Sequence, residues 1–134
     1  MSFQHKELAN GRWNTFSFFE QMANIGSEVE RTISWSKKDA RYSQMALDRA
    51  IELIDLTLAD PKNRKRLFEI ARIREVLLDY FLCGNHYGYS DIIWQNYFYN
   101  FAYANALDKH LWICYDGGRC EIEATQFPQI NNIA

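Results

Sequence analysis

The chain reads as an all-α protein: an up-down-up-down four-helix bundle with a C-terminal β-hairpin or irregular tail. Three observations predict this. Apolar residues recur at spacings of three and four through four segments, and the breaks between those segments are short. Alternation about a glycine turn appears only after Leu111. The stretch Ser90–Leu107, SDIIWQNYFYNFAYANAL, carries six aromatic residues in 18, more ring surface than any other segment. A chain of 134 residues fits one domain. The expected layout is an N-terminal arm over 1–13, a helical bundle over 14–110 and a hairpin or tail over 111–134.

Gly11 breaks any early helix in the arm, and Phe3 and Trp13 are candidates to dock on the body. The first helix is expected from Asn14 to Trp35. Phe18, Met22, Ile25, Val29 and Ile33 form one apolar stripe, and Glu20, Asn24, Glu28 and Arg31 fall off it. Gly26 lies beside the stripe. A glycine inside a helix costs about 1 kcal/mol against alanine, so it points to close approach of a neighbouring helix.

A second helix comes after a Ser36-Lys37-Lys38 joint and runs from Asp39 to Ala59, with a wide apolar face from Met45 to Leu58. Asp60-Pro61 ends it, because the residue before proline is pushed out of the α region. The same pair opens the third helix, expected over 61–82, with Asp60 as N-cap and Pro61 in the first turn. The core stripe of this helix is Leu67, Ile70, Ala71, Leu77, Leu78 and Phe81, and Gly84 stands ready to terminate it. The loop CGNHYGYS leads to Ser90, the expected N-cap of a fourth helix whose inner stripe is Ile93, Tyr97, Phe101, Ala104 and Leu107. Leu111–Tyr115 and Arg119–Thr125 then read as two strands about Asp116-Gly117-Gly118. The expected core includes Met22, Ile25, Val29, Ile33, Ala50, Leu53, Ile54, Ile70, Leu77, Phe81, Ile93, Tyr97 and Phe101.

Composition narrows the function classes. A net charge of −2 and a pI near 5.9 argue against a protein wrapped in nucleic acid. No run of 18 apolar residues exists, so no transmembrane helix and no membrane partner are expected. The N-terminus lacks a signal-peptide pattern, which gives a cytoplasmic expectation. Cys83, Cys114 and Cys120 are an odd set, expected as reduced thiols, although Cys114 and Cys120 are placed to face each other across the hairpin. No CxxC occurs, so neither a structural zinc nor any other cofactor is expected.

Chemistry-bearing residues fall into three sets. Lys62, Arg64, Lys65, Arg66, Arg72 and Arg74 place six positive charges in 13 positions, the pattern of a phosphate-contacting helix or of a solvated face. Tyrosines nearby would stack on RNA bases. Asp48, Glu52 and Asp55 stand at i, i+4 and i+7, and with Glu28 they are the candidate magnesium ligands of a nucleotide hydrolase; the commoner fate is surface charge balanced by Arg49 and Lys38. His86, Tyr87, Tyr89, Tyr99 and Tyr103 are candidate ligand or interface residues. His86 would have Asp79 and Asn85 in reach as a general base, but a structural cap is the favoured role. No ExxH, glycine-rich phosphate loop, GxSxG or zinc-protease motif is present.

The stretches ANIGSEVERTISW (23–35), ALDRAIELIDLTLADPKN (46–63), REVLLDYF (74–81) and WQNYFYNFAYANAL (94–107) resemble a family of small bacterial and archaeal helical proteins. The resemblance implies a helical fold and no catalytic residue. NIGSEVER (24–31) is also similar to the four-helix-bundle proteins encoded in ribosomal RNA intervening sequences. The expected function is a non-enzymatic binding or assembly protein, a homo-oligomer and most simply a dimer, because helices two and four carry more apolar surface than one small bundle needs. The alternatives are RNA association through 62–74 and metal-dependent nucleotide hydrolysis on the helix-borne carboxylates.

Overall fold

The structure, a computed structural model, describes the backbone of residues 8–115 and the side chains of residues 10–107. Within that range the protein is helical and has no strand. After a wide turn over Leu8–Arg12 and a short 3-10 turn over Trp13–Thr15, the chain forms α1 (Phe18–Ser36), α2 (Ala40–Ala59), a 3-10 segment (Pro61–Arg66), α3 (Leu67–Leu82) and α4 (Asp91–Tyr115).

Local chemistry sets the boundaries. Ser17 caps α1 by accepting from the Glu20 amide at 3.2 Å, and Asp39 caps α2 by accepting from the Arg41 amide at 2.9 Å. Asp60 accepts from the Lys62 amide at 3.1 Å, the expected capping role, with Pro61 at the first position. The segment it caps is 3-10 rather than α-helical. The cationic run at 62–66 opposes the helix dipole, and the α-helix proper begins only at Leu67, with Glu69 in its first turn.

α1 is the central element, packed against both α2 and α4, while α3 packs against α2. The stripe Phe18, Met22, Ile25, Val29 and Ile33 is buried as its spacing requires. A second lane lies beside it, formed by Gln21, Glu28 and Thr32, also buried. Glu28, expected off the stripe, is therefore inside. At i+3 from Ile25 it sits on the flank of the apolar face that α2 covers. This lane fixes the pairing with α2: Arg49 donates to Glu28 at 3.1 Å, and the Ser43 hydroxyl donates to the Thr32 carbonyl at 2.9 Å. Those contacts run the two helices antiparallel.

α4 closes the other side of α1. Gln95 donates to Glu30 at 3.2 Å, while Phe18 and Phe101 meet edge to face with ring centres 5.7 Å apart. Between these contacts lies the close approach that Gly26 implied. A Cβ added there would stand 2.6 Å from Phe98 Cβ and 2.9 Å from Phe98 Cγ. Phe98 occupies the slot that the missing side chain leaves, and Trp94 stacks beside it, ring centres 6.0 Å apart and planes 21° from parallel.

This slot rotates α4 by about one residue from the expected orientation. Trp94 and Phe98 are buried, Tyr97 and Phe101 are half-buried, and Ile93 is 44% exposed. On α3, Ile70, Ile73, Val76 and Leu77 form the buried face, whereas Leu67 and Ala71 are exposed and Leu78 and Phe81 half-buried. Trp13 docks on the body as its place in the arm allowed: it is 1% exposed, with its indole Nε1 donating to Thr57 Oγ1 at 2.9 Å. The expected first strand is corrected too, because the backbone of Leu111–Tyr115 is the last part of α4. The remainder of the expected hairpin, Cys120 with its possible pairing to Cys114, and Phe3 lie outside the described residues.

Candidate functional site

The acidic set on α1 and α2 does not converge. Glu28 accepts from Arg31 at 2.7 Å and from Arg49 at 3.1 Å, so this buried carboxylate is neutralised by two guanidinium groups. Asp48 is exposed and accepts from Gln44 at 2.9 Å, while Asp55 accepts from Arg74 at 2.8 Å. Glu52 is half-buried. Among the described residues no three His, Cys, Asp or Glu side chains are grouped to hold a metal ion.

The basic set is dispersed as well. Lys62 bridges to Asp60 and donates to the Asn14 carbonyl at 3.0 Å. Arg66 lies over the Phe18 ring, 4.1 Å from its centre, and Arg72 over Tyr87 at 5.8 Å. Arg74 is paired with Asp55. Arg64 and Lys65 remain exposed and make no ion pair with other described residues.

Two polar constellations stand out, the first unread in the sequence and the second anticipated there only in its Asp79–His86 pair. The first is buried at the junction of the N-terminal turn, α1 and the 3-10 segment. Gln21 Nε2 donates to the Trp13 carbonyl at 3.0 Å and to Asp60 Oδ2 at 2.8 Å, and Gln21 Oε1 accepts from Asn63 Nδ2 at 2.9 Å. Burial pushes the Asp60 carboxyl up, but the hydrogen bonds from Lys62 and Gln21 outweigh it and hold the group below the usual carboxylate value. With its oxygens engaged by Gln21, Lys62 and a backbone amide, Asp60 is structural. A signal existed: Gln21 stands at i+3 from Phe18 and i−4 from Ile25, inside the apolar face.

The second constellation centres on Asp79, at the C-terminal end of α3. Its Oδ1 accepts from the His86 amide at 3.1 Å and pairs with His86 Nδ1 at 2.8 Å, and its Oδ2 accepts from the Tyr87 amide at 3.1 Å. Burial raises its pKa, yet the His86 side chain and the two amides together bring it below the ordinary value. Gly84, Asn85 and Gly88 all take positive φ, at 87°, 58° and 69°, which lets the loop fold back over the helix end. Asn85 secures the loop from within, donating to the Tyr89 carbonyl at 2.7 Å and accepting from the Tyr89 amide at 2.9 Å. Tyr87 donates to Glu75 at 2.8 Å, and that bond, with the carboxylate's charge, raises the phenol pKa.

Thus Asp79 and His86 are brought together as the sequence suggested. Asp79 commits its oxygens to two backbone amides as well as the imidazole, which is the work of a loop anchor. The side chain of His86 is mostly in water. A general base needs a sequestered site and a nucleophile in hydrogen-bond reach; Cys83, exposed on the same loop, makes no hydrogen bond to it.

The remaining candidates separate. Tyr89 is half-buried against Trp94, ring centres 5.0 Å apart. Tyr99 and Tyr103 are half-buried on α4, and Tyr99 joins Ala23, Gly26 and Phe98 in lining an open groove of about 420 Å³ between α1 and α4. A larger hollow of about 650 Å³ lies beside α3, lined by Ala71, Arg74, Glu75, Leu78, Asp79, Cys83, His86 and Tyr87. Among the described residues of α3, Phe68 is 96% exposed and Leu82 55%. Ile92 and Ile93 are exposed at the start of α4. No helix among the described residues is long and apolar enough to cross a membrane.

Comparison with protein-family models, curated proteins and solved structures finds no match to this chain.

Proposed function

We propose that this protein is a non-enzymatic assembly module: a four-helix bundle, up-down-up-down, whose exposed apolar surface joins it to a partner, most simply a second copy of itself. The observation that carries this reading is Phe68. A phenylalanine 96% exposed on a well-formed helix contributes nothing to the fold that carries it. It shares its end of the molecule with Leu67 and lies on the same helix as Leu82. Four carboxylates, by contrast, are engaged within the molecule: Glu28, Asp55, Asp60 and Asp79 each have a cationic or imidazole partner. The resemblance of 23–35, 46–63, 74–81 and 94–107 to small prokaryotic helical proteins fits such a module and brings no catalytic residue with it.

Size-exclusion chromatography with light scattering, at tens of micromolar, tests the reading. A mass of twice the chain's 15.9 kDa is expected, and a strictly monomeric peak sinks it. RNA association is the runner-up, supported by the exposed Arg64 and Lys65, which make no ion pair with other described residues. Its mark would be filter binding to RNA that weakens steeply with salt and disappears when both residues become alanine.

A further inference from the structure

The joint between α1 and α2 carries charge and ring surface that the fold does not use. Over residues 31–47 the cations Arg31, Lys37, Lys38 and Arg41 stand against a single acid, Asp39. Asp39 caps α2, accepting from the Arg41 amide at 2.9 Å, and Arg31 pairs with Glu28. Lys37, Lys38 and Arg41 are exposed and make no ion pair with other described residues. The longer basic run at 62–74 is mostly engaged by contrast: Lys62 with Asp60, Arg66 over Phe18 and Arg74 with Asp55.

Two rings stand among these cations. Trp35, in the last turn of α1, and Tyr42, in the first turn of α2, have ring centres 4.9 Å apart. Trp35 is 39% exposed and Tyr42 50%, and neither belongs to the hydrophobic core. Neither the indole nor the phenol hydrogen-bonds to another described residue. Lys38 Nζ lies 5.9 Å from the centre of the Trp35 ring, which holds an ammonium beside it. The joint itself is built by other groups. The Trp35 carbonyl accepts from the Lys38 and Asp39 amides at 2.9 and 2.8 Å, and the Ser43 hydroxyl ties the start of α2 to the Thr32 carbonyl at 2.9 Å. The rings are therefore positioned without being needed to hold their helices.

A ring surface edged by cations matches the chemistry of an unpaired nucleic-acid strand, whose bases stack on aromatic side chains while its phosphates meet Lys and Arg. A lipid surface fits less well, because residues 34–42 include no Leu, Ile, Val or Phe to enter an acyl layer. We infer that the α1–α2 joint is a contact site for single-stranded nucleic acid, with Trp35 and Tyr42 stacking on bases and Lys37, Lys38 and Arg41 meeting phosphates. The site does not depend on the self-association proposed above. It also lies at the other end of α2, about 30 Å of helix, from Arg64 and Lys65.

Fluorescence anisotropy of the full-length chain tests this, with labelled 12-nucleotide strands of the repeat CAA made as RNA and as DNA. Binding is expected, with the logarithm of affinity falling against the logarithm of salt at a slope of about −2, or about 0.7 for each of three cations; the tighter of the two strands names the natural one. Trp35→Ala and Tyr42→Ala should each weaken binding at least about fivefold, with an unchanged helical circular-dichroism spectrum. Trp35→Phe, which keeps a ring, should weaken it less than Trp35→Ala. Replacing Lys37 and Lys38 together by glutamine should lower the slope by more than half, whereas replacing Arg64 and Lys65 by alanine should leave binding as in the parent. Failure to bind either strand at about 50 mM salt overturns the site, as does binding indifferent to both ring substitutions. Binding to vesicles of phosphatidylcholine and phosphatidylserine with none to either strand overturns it as well, in favour of a membrane.

Discussion

Replacing Gly26 by alanine tests how α1 and α4 meet. In an isolated helix the change is favourable by about 1 kcal/mol, through lost glycine flexibility. In this protein the new methyl would lie 2.6 Å from Phe98 Cβ and 2.9 Å from Phe98 Cγ, where about 3.5–4.0 Å is comfortable. Neither contact atom is the free end of a side chain. Rotating the Phe98 ring moves Cγ little and Cβ not at all, so relief requires α4 to withdraw by about an ångström along the line of contact. Withdrawal loosens Trp94 and Phe98, both buried here, and overpacking of this kind costs about 1–3 kcal/mol. A clash with Cβ at 2.6 Å belongs at the upper end of that range, about 2–3 kcal/mol, so against the propensity gain Gly26→Ala should destabilise by about 1–2 kcal/mol, or roughly 3–8 °C in Tm. Urea unfolding followed at 222 nm and by tryptophan fluorescence measures it, with Ser27→Ala, the exposed neighbour, as the control expected within about 0.5 kcal/mol of the parent. Equal or higher stability for Gly26→Ala would refute the close approach.

The polar constellations give further expected outcomes. Gln21→Leu leaves Asn63 Nδ2 with one acceptor fewer and strips a donor from buried Asp60; a loss of about 2–4 kcal/mol in urea unfolding is expected. Asp79 binds its proton more weakly folded than unfolded. Its contribution is therefore complete above the unfolded value of 3.8 and is lost as pH falls through the lower folded one, so Asp79→Asn should flatten the fall in urea midpoint below about pH 4. Burial and the bond to Asp91 push the Tyr80 phenol up to about 12, so ultraviolet titration should show a phenol ionising near there that is missing in Tyr80→Phe. Because that phenol holds its proton more tightly when folded, its contribution is present below pH 10 and disappears as pH rises towards 12.

Much of the helical layout was legible because it rests on local chemistry. Ser17, Asp39 and Asp60 cap the elements after them through their own side chains, and the α1 stripe is long enough to fix its phase. Gly26 even announced a close neighbour. Other features depend on partners that local pattern does not name. The rings of α4 cover so much of its circumference that several phases bury apolar surface equally well. Only the slot at Gly26, 72 residues away in sequence, selects Phe98 and Trp94 over Ile93 and Tyr97. Trp13 belongs to no periodic segment, so it could be read as a candidate to dock on the body, but neither its complete burial nor its partner Thr57 was legible. Of the candidate site residues, Asp79 and His86 were close enough in sequence for their pairing to be foreseen. That Glu28, Asp48 and Asp55 balance other side chains and hold no common ligand was the commoner fate expected of them, but apart from Arg49 their partners were not legible, since a helical face says nothing of what stands opposite.

The buried amide of Gln21 has a consequence for the uniqueness of the fold. Apolar ridges tolerate sliding: a helix displaced by one residue finds other methyl groups to touch. A primary amide does not. Gln21 engages the Trp13 carbonyl, Asp60 and Asn63 at 2.8–3.0 Å, and a slip of one residue, about 1.5 Å of rise with about 100° of turn, would carry the amide away from both Asp60 and Asn63. The amide thus acts as an index pin, admitting one register of α1 against the α2–α3 junction and penalising its neighbours. It also ties the turn at Trp13 to that register, so the segment before α1 is part of the mechanism by which the chain selects a single packing.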